Sequence, residues 1–343
     1  MPRPYGLLRA GFPYLKTLGM RRISNFPIDV AFGKEGRVYI LLRADNAPLI
    51  RKWHIDDAEM LTDELEAIGS NGTDEGQYTW PVQLISDKDE NLFLTDEWLN
   101  RITAYSVDGD CLYTWGEQGT DEGKLNRPAG IAFDPNEENV YVVDSLNHRI
   151  QKFTRKGKFI STWGEFGEDF SQFNMPWGIE VDEKGDVYVA DWRNDRIQKF
   201  SSDGDFIWSL GNRGTGSGEF RRPTGIAVDK HGDIYVSDFD NNRIQLFNEN
   251  KQYVMQFTGD ASMSRSARNY MLLNAYPNRI REMSSLDIEK LMRGPKSVRV
   301  DDQFRMFVPD FRSYRVQVYQ KEAIELTNRE LSPEMRAVTL SVV

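Results

Sequence analysis

The sequence predicts an all-β protein, a six-bladed β-propeller of four-stranded antiparallel blades with a helical insertion on its top face. Three observations carry that expectation. The first is a repeat: PAGIAFDPNEENVYVVDSLNHRIQKF from Pro128, PWGIEVDEKGDVYVADWRNDRIQKF from Pro176 and PTGIAVDKHGDIYVSDFDNNRIQLF from Pro223 align almost without gaps, and weaker copies open at Pro81, Pro295 and Pro27. The second is the period. The opening prolines 27, 81, 128, 176, 223 and 295 are separated by 54, 47, 48, 47 and 72 residues, and a unit of ~47 residues belongs to propeller blades rather than to helical-pair repeats of ~34. The third is an Asp followed five residues later by an Arg in five copies: Asp96/Arg101, Asp144/Arg149, Asp191/Arg196, Asp238/Arg243 and Asp310/Arg315; only the first copy breaks it, with Leu42.

Within each copy the pattern gives four short strands. In the copy from Pro176 they are 179–182, 187–191, 196–200 and 206–210, rich in Ile, Val, Tyr, Phe and Trp and separated by turns such as Ser202-Asp203-Gly204. Residues 1–343 thus form a single propeller domain with blades opening near 27, 81, 128, 176, 223 and 295. The last copy has three clear strands. Residues 13–18, which match the fourth strand of a blade, are expected to complete it and so remove an open sheet edge. The tail 323–343 is then surplus. The step of 72 residues leaves 25 extra, placing an insertion at 260–294 on the top face. There 261–273 and 284–292 read as helices: Ser284 and Asp287 suit an N-terminal cap, Pro277 separates the two, and Gly294-Pro295 ends the second. With Arg265, Arg268, Arg279, Arg281, Lys290 and Arg293 this would be a basic lid. A second insertion, 54–65, is acidic and reads as a solvated loop.

The repeated residues resemble the NHL repeat, whose core runs P-x-G-I-A-V-D, then I-Y-V-x-D, then N-x-R-I-Q. The likeness spans most of residues 20 to 320. It implies a six-bladed propeller but no single function, since that family includes RNA-binding modules, protein-interaction sensors and a zinc-dependent lyase acting on peptidyl-hydroxyglycine.

Composition removes several classes. There are 43 Lys+Arg against 53 Asp+Glu, for a net charge of -10, which disfavours a nucleic-acid surface spread over the molecule. One cysteine, Cys111, excludes a disulfide framework and a cysteine-rich zinc site. No apolar run approaches the ~20 residues of a membrane span, and the N-terminus lacks the apolar core of a signal peptide. A cytoplasmic location is expected.

The Asp–Arg pairs invite a catalytic reading, but a set present in nearly every blade does the same work in each. They are expected to clamp the turn between second and third strands. The Asp that ends the first strand (Asp134, Asp182, Asp229, Asp301) reads as turn chemistry, and Gly130, Gly178 and Gly225 as points of close backbone approach. His148 and His231 fall on opposite faces by the logic of an antiparallel meander, so with His54 they form no three-histidine metal site. No Walker loop, G-x-S-x-G or H-E-x-x-H is present.

What remains is the top face, where second–third turns and blade linkers converge. Trp98, Arg127, His148, Trp177, Trp192, Arg193, Arg222, Phe239, Phe311, Arg312 and Tyr314 are the candidate ligand-binding residues. Aromatic and Arg enrichment is typical of recognition sites. The expected ligand is an anionic or aromatic small molecule, or an acidic peptide, held by Arg forks and ring faces. The alternative is a lyase or hydrolase at the same mouth. Similar six-bladed lactonases and esterases hold a calcium ion in the channel; the oxygens available here are Glu97, Asn147, Asp195, Asp240 and Asn241, though no cofactor is required. The basic insertion leaves an RNA-binding module as a third reading.

Overall fold

The computed structural model describes residues 6–19, 24–44, 47–55, 67–264, 267, 273 and 286–326. Six four-stranded antiparallel sheets surround a central channel, each a meander with its first strand innermost. The inner strands are Pro27–Phe32, Pro81–Ser86, Pro128–Phe133, Ile179–Val181, Pro223–Val228 and Arg299–Val300 for blades 1 to 6. Apolar faces of neighbouring blades interlock. Phe93, Ile102, Leu125, Ile131, Val140 and Phe153 form one such seam, all but excluded from solvent, and each such side chain contributes about 1.5–3 kcal/mol by burial. Gly130, Gly178 and Gly225 let blades meet near the axis. A Cβ on Gly178 would lie 2.4 Å from the carbonyl oxygen of Thr224, and one on Gly225 would lie 2.8 Å from the Cα of Ser297.

The Asp–Arg pairs do more than close a turn. In blades 3 to 6 the Arg Nε donates to the Asp at 2.8, 2.9, 2.7 and 3.0 Å. The other carboxylate oxygen accepts a backbone N–H of the incoming linker, from Asn126, Asn174, Arg221 and Arg293. The far end of each Arg donates to linker carbonyls, as Arg196 does to Glu168, Asp169 and Gln172. Each pair therefore ties turn, linker and third strand together. Blade 2 departs from the pattern: Asp96 caps the backbone N–H groups of Thr79, Trp80, Trp98 and Leu99, while Arg101 reaches only linker carbonyls. In blade 1 the long hairpin Arg37–Ala44 with Ala47–His54 replaces the clamped turn. The first-strand aspartates cap the bottom turns; Asp182 accepts from the N–H groups of Lys184 and Asp186, and Asp301 from those of Gln303 and Arg305.

Tyr14–Leu18 pairs with Arg315–Gln320 as the outer strand of blade 6, closing the ring between the two ends of the chain. The start of the expected surplus tail is not free: Glu322–Leu326 pairs with Gly6–Gly11 in a two-stranded ribbon. Residues 327–343 lie outside the described residues.

The expected pair of helices at 260–294 is not supported. Among the described residues of the insertion the α-helical ones are Ala267, Leu273 and the short helix Leu286–Lys290, while Arg265, Arg268, Arg279 and Arg281 lie outside them. The insertion also starts further out than a lid on the channel requires. The Met292 N–H donates to the Thr258 carbonyl as that of Phe220 does to Asn212, so the extra chain grows from the outer loop of an ordinary linker. Of the acidic insertion, 56–66 lies outside the described residues. No described helix is long and apolar enough to cross a membrane.

Candidate functional site

The top turns end in a left-handed residue: Asn100, His148, Asp195, Asn242 and Tyr314 have φ between 53 and 58°. Asn and Asp tolerate this conformation better than most, and four of the five side chains have a second duty. Each accepts the backbone N–H of the residue before the next blade: Asn100 from Arg127 at 2.7 Å, His148 Nδ1 from Met175 at 3.0 Å, Asp195 from Arg222 at 2.7 Å and Asn242 from Gly294 at 2.7 Å. His148 is thus a latch between blades 3 and 4. Burial, then the charge of Arg193, lowers its pKa and keeps the accepting neutral form.

Inside this rim, two repeat positions per blade lie at the top ends of the first and second strands, and Ile28, Val82, Trp177, Thr224 and Lys296 line one cavity there. The middle position of P-x-G supplies Ile28, Val82, Ala129, Trp177, Thr224 and Lys296; the position after the clamp Asp supplies Arg43, Glu97, Ser145, Trp192, Phe239 and Phe311. Lys296 is the chemical centre. Its Nζ lies 4.4 Å from the centroid of Trp177 and 4.8 Å from that of Phe239, and among the described residues no carboxylate or carbonyl is within hydrogen-bond reach of it. Burial, and then the positive charge of Arg43, brings its pKa down to about 8. Thr224 Oγ1 beside it, and Ser145 Oγ in the outer ring, are buried without a hydrogen-bond partner. Trp192 lies 6.1 Å from Trp177 and carries the guanidinium of Arg222 at 4.7 Å and of Arg193 at 5.5 Å. Arg312 lies 5.4 Å over Phe239, and Arg43 pairs with Glu97 across blades 1 and 2. The mouth therefore offers ring faces, unpaired cations and unsatisfied hydroxyls.

The channel beneath is crossed by an ion bridge. Arg299 of blade 6 holds Asp29 of blade 1 through Nε at 3.0 Å and a terminal nitrogen at 2.8 Å, and reaches Glu180 of blade 4 at 2.9 Å. Ser297 Oγ donates to Asp29 at 2.6 Å. Burial pushes the Glu180 carboxyl up to about 7 against the opposing pull of Arg299.

A calcium ion does not fit these residues. The channel carboxylates Asp29 and Glu180 already share the guanidinium of Arg299, Glu97 pairs with Arg43, and Asp240 faces Arg222 at 3.6 Å. Asn147 and Asn241 hold their own loops by donating to Gly119 and Gly214. Among the described residues no three His, Cys, Asp or Glu side chains gather. His148 sits on top, whereas His231 lies underneath, stacked at 4.3 Å on Phe304.

Of the sequence candidates, Trp177, Trp192, Arg193, Arg222, Phe239 and Arg312 come together. Trp98 stands on the rim beside Trp80, 59% exposed. Arg127 enters through its backbone N–H. Phe311 and Tyr314 pack on Phe26, with ring centroids at 5.0 and 4.9 Å. Sequence reasoning missed Lys296, Arg43, Thr224 and Ser145. The signal was the pair of inward positions in the repeat, at which Ile, Val, Ala, Trp, Thr and Lys alternate around a ring.

The fold and its repeats define the class, a six-bladed β-propeller assembled from NHL-type units. Residues 220–247 match the family model of the NHL repeat, and residues 83–211 match that of the SMP-30/Gluconolactonase/LRE-like region. No curated protein matches the chain. Similar solved structures include a structural genomics protein of unknown function from Bacteroides thetaiotaomicron VPI-5482, with TM-score 0.64 and 14% identity over 92% of this chain and 77% of that one. A catalytically inactive virginiamycin B lyase from Staphylococcus aureus with quinupristin gives TM-score 0.56 at 14% identity, over 92% of this chain and 89% of that one. A streptogramin B lyase gives 0.57 at 11%, over 91% and 98%. At such identities the likeness is one of fold.

Proposed function

We propose that this propeller binds a small anionic molecule with a planar, apolar part at the top mouth of its channel. Lys296 is the observation that carries the reading: a cation against two aromatic faces, with no carboxylate hydrogen-bonded to it among the described residues and only the more distant charges of Glu97 and Asp240 to offset those of Arg43 and Arg312. An anionic headgroup supplies the missing partner, and a planar body fills the space against Trp177 and Phe239. Thr224, which lines the same cavity as Lys296, has an unsatisfied hydroxyl for the ligand's oxygens. No metal is needed.

A ligand that binds the folded chain alone raises its melting temperature by mass action. Benzoate should raise it, while acetate at equal ionic strength should not, and Lys296→Met should abolish the rise. If neither benzoate nor phenylacetate shifts the wild-type transition, the reading fails. Catalysis at the same mouth is a second reading, supported by one property of Lys296: an amine titrating near 8 can serve as a general base at neutral pH. Turnover that rises through that pH and is lost in both Lys296→Met and Lys296→Arg is its signature.

A further inference from the structure

Four arginines, Arg193, Arg213, Arg221 and Arg222, line one cleft of about 650 Å³ between blades 4 and 5, outward of the mouth. Each has the same chemistry as the clamp arginines but none of their bonds. Arg149, Arg196 and Arg243 spend their donors on an Asp and on linker carbonyls. Among the described residues no guanidinium of the cleft makes a side-chain hydrogen bond; the nearest described carboxylates are Asp240 at 3.6 Å from Arg222 and Asp195 at 3.9 Å from Arg213. Two carboxylates against four guanidiniums leave an excess of two positive charges on a chain whose net charge is -10.

The repeat provides an internal control. Where blade 4 to blade 5 has Arg193, Arg213, Arg221 and Arg222, blade 3 to blade 4 has Leu146, Phe166, Asn174 and Met175, and the two linkers share the same backbone bridge. The fold therefore does not ask for the arginines. It does fix their backbones: the Arg193 N–H is held by Asn174, that of Arg221 by Asp238 and that of Arg222 by Asp195. Convergent guanidinium forks on a fixed backbone suit an oxyanion with several acceptor oxygens and more than one charge. The cleft also borders Trp192, whose ring face runs toward the mouth.

We propose that this cleft is a second subsite, which takes the phosphate dianion of a small phosphate monoester. It deepens the reading of the mouth by naming the ligand class, yet it stands on residues the mouth does not use, Arg213 and Arg221.

Calorimetric titration of the full chain tests it, with phenyl phosphate and benzoate as probes at matched ionic strength. Phenyl phosphate should bind wild type more tightly than benzoate does. The exposed pair Arg213→Ala plus Arg221→Ala should weaken phenyl phosphate at least tenfold and leave the benzoate response as it was. Phenyl phosphate that fails to bind wild type, or binds the double variant equally well, overturns the proposal. So does displacement by sulfate at the same concentration, which would mark mere attraction of any anion. If phenyl phosphate behaves as stated while benzoate never binds, the cleft stands and the mouth falls.

Discussion

Two lysines stand at opposite ends of this ring, Lys321 buried and Lys296 partly buried, and their company differs. Beneath it, Lys321 is 1% exposed and donates to Asp229 at 2.5 Å and approaches Asp233 at 2.8 Å. Arg9 from the terminal ribbon forks onto Asp233, and the Tyr235 hydroxyl completes Asp229. Burial would raise the Asp233 pKa, but the Arg9 hydrogen bonds and the charge of Lys321 hold it below the usual carboxylate value. Above the ring, Lys296 has ring faces, the charges of Arg43 and Arg312 opposed at a distance by Glu97 and Asp240, and among the described residues no carboxylate that hydrogen-bonds it. A charge that the fold satisfies belongs to the fold; a charge that it leaves unsatisfied at a concave mouth awaits a partner.

The largest effect that follows is on stability. Lys321→Met leaves Asp229 without its cation in a dry site and removes one of two cations from Asp233, and breaking a buried pair in this way costs about 3–5 kcal/mol. Urea unfolding should show that loss as a lower midpoint with an unchanged slope. A loss under 1 kcal/mol would mean that the ribbon, not the lysine, neutralises the cluster.

Lys296→Met should do the reverse. Removing an unpaired, partly buried ammonium and leaving an apolar side chain against Trp177 and Phe239 should leave stability within about 1 kcal/mol of wild type or raise it. Benzoate affinity should fall at least tenfold, equivalent to about 1.4 kcal/mol. A variant that is strongly destabilised would place Lys296 with Lys321 as a structural residue and dissolve the contrast.

The ring itself was legible because its signals recur and agree: the opening proline and the strand pattern in six copies, and the Asp–Arg offset in five. The site was legible only where its residues share a type. Trp177, Trp192 and Phe239 stand out by composition, but Lys296 is one lysine among many until the P-x-G positions are laid around a circle. The latches were hidden for the opposite reason. Asn100, His148, Asp195 and Asn242 look like variation in a loop, although all four accept the equivalent N–H of a linker 27 or 52 residues further on. The packing of Phe311 and Tyr314 on Phe26, a linker residue before blade 1, was not legible because Phe26 lies far from both in sequence. In the insertion, the cap at Ser284 and Asp287 and the Gly294 stop spoke for helices of ordinary length, whereas the described residues give one short helix, Leu286–Lys290, and helical conformation at Ala267 and Leu273.

The same pair of lysines also separates by pH. In the unfolded chain a lysine keeps its proton to about 10.5, whereas folded Lys296 releases it near 8. Across that window the unfolded chain binds more protons, so this residue makes stability rise with pH, and below it the cost of the charged form is present in full. The difference in unfolding free energy between wild type and Lys296→Met should therefore shift in favour of wild type between pH 7 and pH 10. Benzoate binding should weaken over the same range as the ammonium is lost. A constant difference would show that Lys296 remains charged, held by Trp177 and Phe239.

Trp98 marks the outer limit of the contrast and gives the smallest effect. It is more than half exposed and touches Trp80 at a centroid distance of 6.0 Å, away from Lys296. Surface substitutions away from caps, cores and buried pairs stay within about 0.5 kcal/mol, so Trp98→Ala should change neither the unfolding midpoint nor the affinity for benzoate. Trp80, with Arg43 at 4.6 Å over its ring, is the inner member of the pair and orients the Arg43 that pairs with Glu97. If Trp98→Ala weakens benzoate as much as Lys296→Met does, the site reaches across blade 2, and the boundary between rim and mouth has been drawn too close to the axis.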